Sequence, residues 1–254
     1  MKAHTTGIIP FNEARSASCT QCAWQALCLP ASLDGDNLER LDEVVRKRRP
    51  LRRGDVLYRE GMRHPSLFVV RSGLLKTSTT LPDGDTQVLG FHLAGEIVGF
   101  DGLLDEPHHS SAEALEDSTV CEVPIGRLTE IAAHIPGLQQ QVYRIMGREF
   151  SREQMHAVMM GRRQAMARLA LFLHSLSERR RATGHDPVSL HLGMSRQELA
   201  NYLGLVIETV SRLFSRLQAL GVLEVERKNV RILDLAALEN LAQGDDEAHA
   251  SAQA

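Results

Sequence analysis

The sequence predicts an α+β chain of two modules, a small antiparallel roll or barrel followed by a long helix and a winged helix-turn-helix. Three observations carry that expectation. Glycines at 73, 84 and 95 recur every eleven residues between short apolar runs, the cadence of strands joined by tight turns. Met146, Phe150, Glu153, Ala157 and Met160 step by 4, 3, 4 and 3, which is the a/d seam of a coiled coil. Ser195 with Glu198 three residues on reads as a capping box, Leu199 and Leu203 as a core face, and Gly204 as the tight turn into a second helix.

Composition bounds the rest. A chain of 254 residues, 43% hydrophobic, buries a sizeable core and is read as two domains. No apolar run approaches membrane-spanning length, and the opening MKAHTTGIIPFNEARS lacks the apolar stretch of a secretory signal, so a cytoplasmic protein without a membrane partner is expected. The net charge of −3 hides a division: residues 162–233 carry 12 Lys/Arg against 6 Asp/Glu, and the remainder 17 against 26. A basic C-terminal module behind an acidic one fits nucleic-acid binding, with a solvated basic surface as the plain alternative.

Taken in order, residues 1–30 form an arm and a cysteine loop, and 33–49 read as a helix burying Leu38, Leu41 and Val45. The roll occupies 31–136, with apolar runs at 56–58, 66–70, 87–93 and 119–123. Periodicity leaves sandwich, cupin and roll variants open. A short helix near 127–134 breaks at Pro136-Gly137, and the seam helix, a candidate dimer interface, spans 137–161. The C-terminal module, 162–243, opens with a helix at 163–180 that turns Leu169, Leu173 and Leu176 inward. An extended piece follows at 188–192, then the two helices of the motif, the second burying Val210, Leu213 and Leu217. Residues 222–226 and 230–233 make a two-stranded wing, and 244–254 a disordered polar tail.

The chain's four cysteines are arranged as Cys19-x2-Cys22-x5-Cys28 with a lone Cys121. In a reducing compartment they read as metal ligands rather than disulfides. Four thiolates suit an iron–sulfur cluster or a structural zinc, and spacing alone does not choose. No nucleophile motif, glycine-rich phosphate loop or paired catalytic carboxylates stand out, so no enzymatic activity is expected.

Together the roll, seam and helix-turn-helix resemble the CRP/FNR superfamily of bacterial transcription regulators over nearly all of residues 19–243. The cysteine pattern combined with Glu208-x-x-Ser211-Arg212 looks like its oxygen-responsive FNR/Anr-like branch. That resemblance implies a global regulator, an activator or repressor, whose Cys19, Cys22, Cys28 and Cys121 hold a [4Fe-4S] cluster. In the branch, oxygen converts the cluster to a [2Fe-2S] form and then strips its iron. It further implies a homodimer that binds double-stranded DNA at TTGAT-like inverted repeats in promoters, with Glu208, Ser211 and Arg212 reading bases. RNA polymerase is the implied partner, and the turn Pro82-Asp83-Gly84-Asp85 the implied contact loop.

The cyclic-nucleotide branch places an arginine followed by Ser or Thr on the phosphate. Here the comparable place reads Pro107-His108-His109-Ser110-Ser111, without the arginine, although Gly95 and Glu96 match. A haem sensor would call on His92 or the pair His108 and His109, which are otherwise surface histidines, and a zinc- or small-ligand-dependent CRP-type regulator is the remaining alternative. One departure from the family is Val206, where many relatives carry a Ser or Thr cap for the recognition helix. Its loss costs on the order of 1 kcal/mol of local stability.

Overall fold

Strand β3 (Ser66–Ser72) organises the first half of the molecule, because its run Leu67-Phe68-Val69-Val70 is buried on both faces. Phe68 and Val70 point into a core shared with a second sheet, while Leu67 and Val69 pack under helices. In the computed structural model, residues 18–47, 50–104, 106–162 and 164–244 are described. The expected arm up to residue 17 and the expected tail beyond 244 lie outside them. The chain divides into two units, Met1–Glu149 and Phe150–Ala254.

The first unit begins with α1 (Gly35–Val44), β1 (Arg46–Lys47) and β2 (Val56–Tyr58). After β3 come β4 (Leu74–Thr80), β5 (Thr86–Leu93), β6 (Ile97–Val98), β7 (Ser111–Ala114) and β8 (Thr119–Pro124). Helices α2 (Ile125–Ala132) and α3 (Pro136–Gly161) follow. The strands form two four-stranded antiparallel sheets, β1-β8-β3-β6 and β2-β7-β4-β5. They stay separate sheets, so among the variants that periodicity left open, sandwich, cupin and roll, the described residues form a layered roll and not a closed cupin-type barrel. Helices on the outer face of the first sheet bury what closure would otherwise protect.

Glycines 73, 84 and 95 all take the left-handed turn conformation, with φ of 85, 90 and 91°. Gly73 is the tightest, since a Cβ there would lie 2.1 Å from the Ser118 hydroxyl. The helix expected over 33–49 is shorter than the periodicity implied. It stops at Val44, because Arg46 and Lys47 leave it to pair with Glu122 and Cys121 on the edge of β8.

The second unit holds the last turns of α3, then α4 (Ala165–Ala182), β9 (Ser189–His191), α5 (Arg196–Leu203) and α6 (Ile207–Ala219). The wing strands β10 (Leu223–Glu226) and β11 (Asn229–Ile232) precede α7 (Leu235–Gln243). Leu169, Leu173 and Leu176 are buried as expected. On α6 the core position belongs to Phe214, 3% exposed, instead of the expected Leu213. The wing has three strands, since β9 pairs with β11. Helix α7 was not foreseen: Asp234 caps it by accepting from the Ala237 amide at 2.9 Å, and Leu238 and Leu241 anchor it in the core.

Candidate functional site

The cysteine segment folds as two turns stapled to the roll. Ser18 caps the first, a 3-10 turn at Cys19–Gln21, by accepting from the Thr20 amide at 3.0 Å. The amides of Leu27 and Cys28 both donate to the Trp24 carbonyl, at 3.0 and 2.9 Å, which closes the stretch between the second and third cysteines. Trp24 then fastens the loop: its indole N–H donates to the Arg71 carbonyl at 2.8 Å. Its ring lies over Gly95, where a Cβ would come within 3.0 Å of Trp24 Cε3. Gly95 is therefore both a turn glycine and the seat of the only tryptophan.

Cys121 meets this loop because of strand parity. On β8, Cys121 and Val123 share the outer face with Val69 of β3, while Val120 points into the inter-sheet core. Cys19, Cys22, Cys28 and Cys121 thus line one pocket together with Trp24, about 400 Å3 in volume including its open mouth. All four are half-buried, and none is in a disulfide. Burial pushes the Cys28 thiol up to about 12, and burial followed by the neighbouring Asp42 holds Cys19 well above the usual thiol range. Asp42 also accepts from the Cys19 amide at 2.7 Å.

Among the described residues, no three of His, Cys, Asp or Glu converge as the ligands of a single metal ion. The four thiols share the lining of one pocket. Protonated thiols do not attract one another, and ligand binding must first displace their protons. Four soft donors on one cavity are a set from which a polynuclear centre, taking one thiolate per iron, or a tetrahedral zinc could be held.

Two of the three histidines offered for a haem, His92 and His108, are buried rather than surface groups. His92 is buried and bonded to Thr77 Oγ1 at 3.0 Å. His108 has both ring nitrogens engaged, Nδ1 with Asp101 Oδ1 at 2.7 Å and Nε2 with the His64 carbonyl at 3.1 Å, and it stacks on Tyr58. Only His109 of the three is exposed.

In the second unit the capping box forms in full, with Ser195 Oγ accepting from the Glu198 amide at 3.1 Å and Glu198 accepting from the Ser195 amide at 2.8 Å. Gly204 ends α5 in the left-handed conformation. Its missing Cβ makes room for Met160, so this expected seam residue reaches toward the helix-turn-helix turn. Val206 caps α6 with no side-chain hydrogen bond. Glu208, Ser211 and Arg212 are exposed on one face of the first turns of α6. Among the described residues no ion pair joins Glu208 to Arg212, and Ser211 donates to the Ile207 carbonyl at 2.9 Å. Beneath them Arg196 stacks over Phe214, 3.4 Å from the ring centroid, and on the wing Lys228 donates to the Gly193 carbonyl at 3.0 Å.

A cyclic nucleotide-binding domain model matches residues 48–134, and a Crp-like helix-turn-helix domain model matches residues 167–241. The transcriptional activator protein FnrA of Stutzerimonas stutzeri is 44% identical over 236 residues, covering 93% of this chain and 97% of that protein. The chain is an FNR/Anr-like member of the CRP/FNR superfamily. The Pseudomonas aeruginosa transcriptional activator protein Anr is also 44% identical, over 91% of this chain and 95% of its own length. The structure of FixK2 from Bradyrhizobium japonicum superposes with a TM-score of 0.70 at 28% identity, covering 78% of this chain and 97% of that one. This FNR/Anr-like regulator is accordingly a DNA-binding protein that acts through its helix-turn-helix, and not an enzyme. Its match to the nucleotide-binding model is to the roll, whose segment from Pro107 to Ser111 carries no arginine. Among the described residues no helix is long and apolar enough to cross a membrane.

Proposed function

We propose that this regulator is an oxygen-responsive transcription switch of the cytoplasm, holding a [4Fe-4S] cluster on Cys19, Cys22, Cys28 and Cys121 and binding DNA as a homodimer while the cluster is intact. One observation carries the reading: three cysteines of a stapled loop and a fourth from β8 line a single pocket. When bound, the cluster supplies reactivity toward dissolved oxygen. The chain supplies the rest. Trp24 seats the loop on Gly95, the β8 register presents Cys121, and the half-buried pocket leaves a route for a dissolved gas.

Two copies of the chain, related by a two-fold axis through the α3 seam, set two α6 helices about one turn of DNA apart. Glu208 accepts from a cytosine amino group and Arg212 donates to guanine, while Ser211, whose hydrogen is used within the helix, accepts from a base edge. TTGAT-like inverted repeats in promoters are the sites, and RNA polymerase is the partner through which bound protein activates or represses. A mobility shift with a TTGAT inverted repeat tests this: tight binding without oxygen and loss of binding in air are expected. Equal binding in both contradicts the switch.

A further inference from the structure

Helix α3 touches the cysteine loop with the face opposite its seam. Gln141 is 3% exposed, lying in the core between Leu138 and Ile145, and its Nε2 donates to the carbonyl of Cys28 at 2.9 Å. Arg148, seven residues on, donates from Nη2 to the carbonyl of Leu27 at 3.3 Å. Two successive loop carbonyls are therefore held by one face of one helix. Tyr143 and Met146, 62% and 40% exposed, open the seam roughly half a turn around, as 3.6 residues per turn requires.

A leucine or methionine would fill the site of Gln141 among its apolar neighbours, so the amide is explained by the carbonyl that it meets. If the loop leaves, that amide stays in the core without its partner, which is costlier than never having had one. The buried state of this face of α3 is thereby tied to a folded loop. We propose that Gln141, assisted by Arg148, is the positioning residue through which α3 registers the state of the cysteine loop and passes it to the seam. This deepens the cluster reading above and rests on it, since a bound cluster is what keeps the loop folded.

The experiment compares the full-length wild type with Gln141→Leu and Arg148→Met, each reconstituted anaerobically with ferrous iron and sulfide. Iron content, emission of Trp24 as the only tryptophan, and the dimer dissociation constant by sedimentation are read before and after air. Gln141→Leu should keep wild-type iron and Trp24 emission, yet lose at least tenfold of the anaerobic gain in dimer affinity, with Arg148→Met shifted the same way but less. Should Gln141→Leu fail to fold, Gln141→Met is read identically. Wild-type iron with an unchanged anaerobic-to-aerobic affinity ratio in the Gln141 variant overturns the proposal. Loss of iron in step with the ratio overturns it too, because Gln141 would then merely build the pocket. A wild type that takes up no iron sinks the cluster reading and this proposal together, a result distinct from either.

Discussion

Gly95 meets two demands at once, a left-handed turn with φ of 91° and the seat of the Trp24 ring that fastens the cysteine loop. The cysteine triplet and the left-handed glycines were legible, because thiol spacing and turn geometry are local properties. That Gly95 also seats Trp24, that Asp42 accepts from the Cys19 amide, and that Gln141 meets Cys28 are tertiary facts with no local signal. The same holds for His108, whose placement under Tyr58 only the folded roll reveals. Changing any one of Cys19, Cys22, Cys28 or Cys121 to Ser should abolish anaerobic DNA binding while the winged helix keeps its circular dichroism. Cys121→Ser is the sharpest case, since full iron content and regulation in that variant would remove it from the ligand set. Gly95→Ala combines a strained φ of 91° with a 3.0 Å approach to Trp24. It should shift the Trp24 emission and speed iron loss in air, and emission identical to wild type would show that the seat is unimportant. On α6, Arg212→Ala and Glu208→Ala should each relax discrimination at one base pair and cost roughly 1–3 kcal/mol, measured by competition with single-base variants of the site. Uniform weakening on every sequence would mean that α6 does not read bases.

At the scale of elements, periodicity served best where a helix faces one environment. The stepping of the seam was visible, and Tyr143, three residues before Met146, extends it in a position that the same rule could have found. Met160 departs from the rule because Gly204 offers it a closer neighbour. The end of α1 was missed since pairing of Arg46 and Lys47 with β8 overrides helical propensity. Helix α7 did have signals, Asp234 at one end and Gly244 at the other, which cap it in the structure. Glu153 is an exposed acid among the expected seam residues, and the two-fold axis of the proposed homodimer would set it near its own copy. Like charges leaving water weaken such an interface, which suits a switch tipped by a few kcal/mol. Glu153→Ala should therefore dimerise and bind DNA in air, with or without the cluster. Sedimentation of the aerobic wild type and mutant decides it, an unchanged monomer fraction being the contrary result.

Across the whole molecule, the two-sided burial of β3 links the fold to the proposed chemistry. One face closes the roll, and the other supports Val69 beside Cys121 under the cysteine loop. The family's general plan was legible because glycine cadence, seam and capping box agree with one another. The open pair of sheets was not, since closure depends on which strands find partners rather than on their periodicity. In the proposed switch, four thiols from two distant stretches hold one iron–sulfur centre. Iron and acid-labile sulfide analysis of anaerobically purified protein, with its visible spectrum followed into air, tests this most directly. About four irons and four sulfides per chain are expected, as the composition of a [4Fe-4S] centre requires, with a visible absorption that fades on exposure to oxygen. A colourless protein carrying one stoichiometric zinc would contradict it.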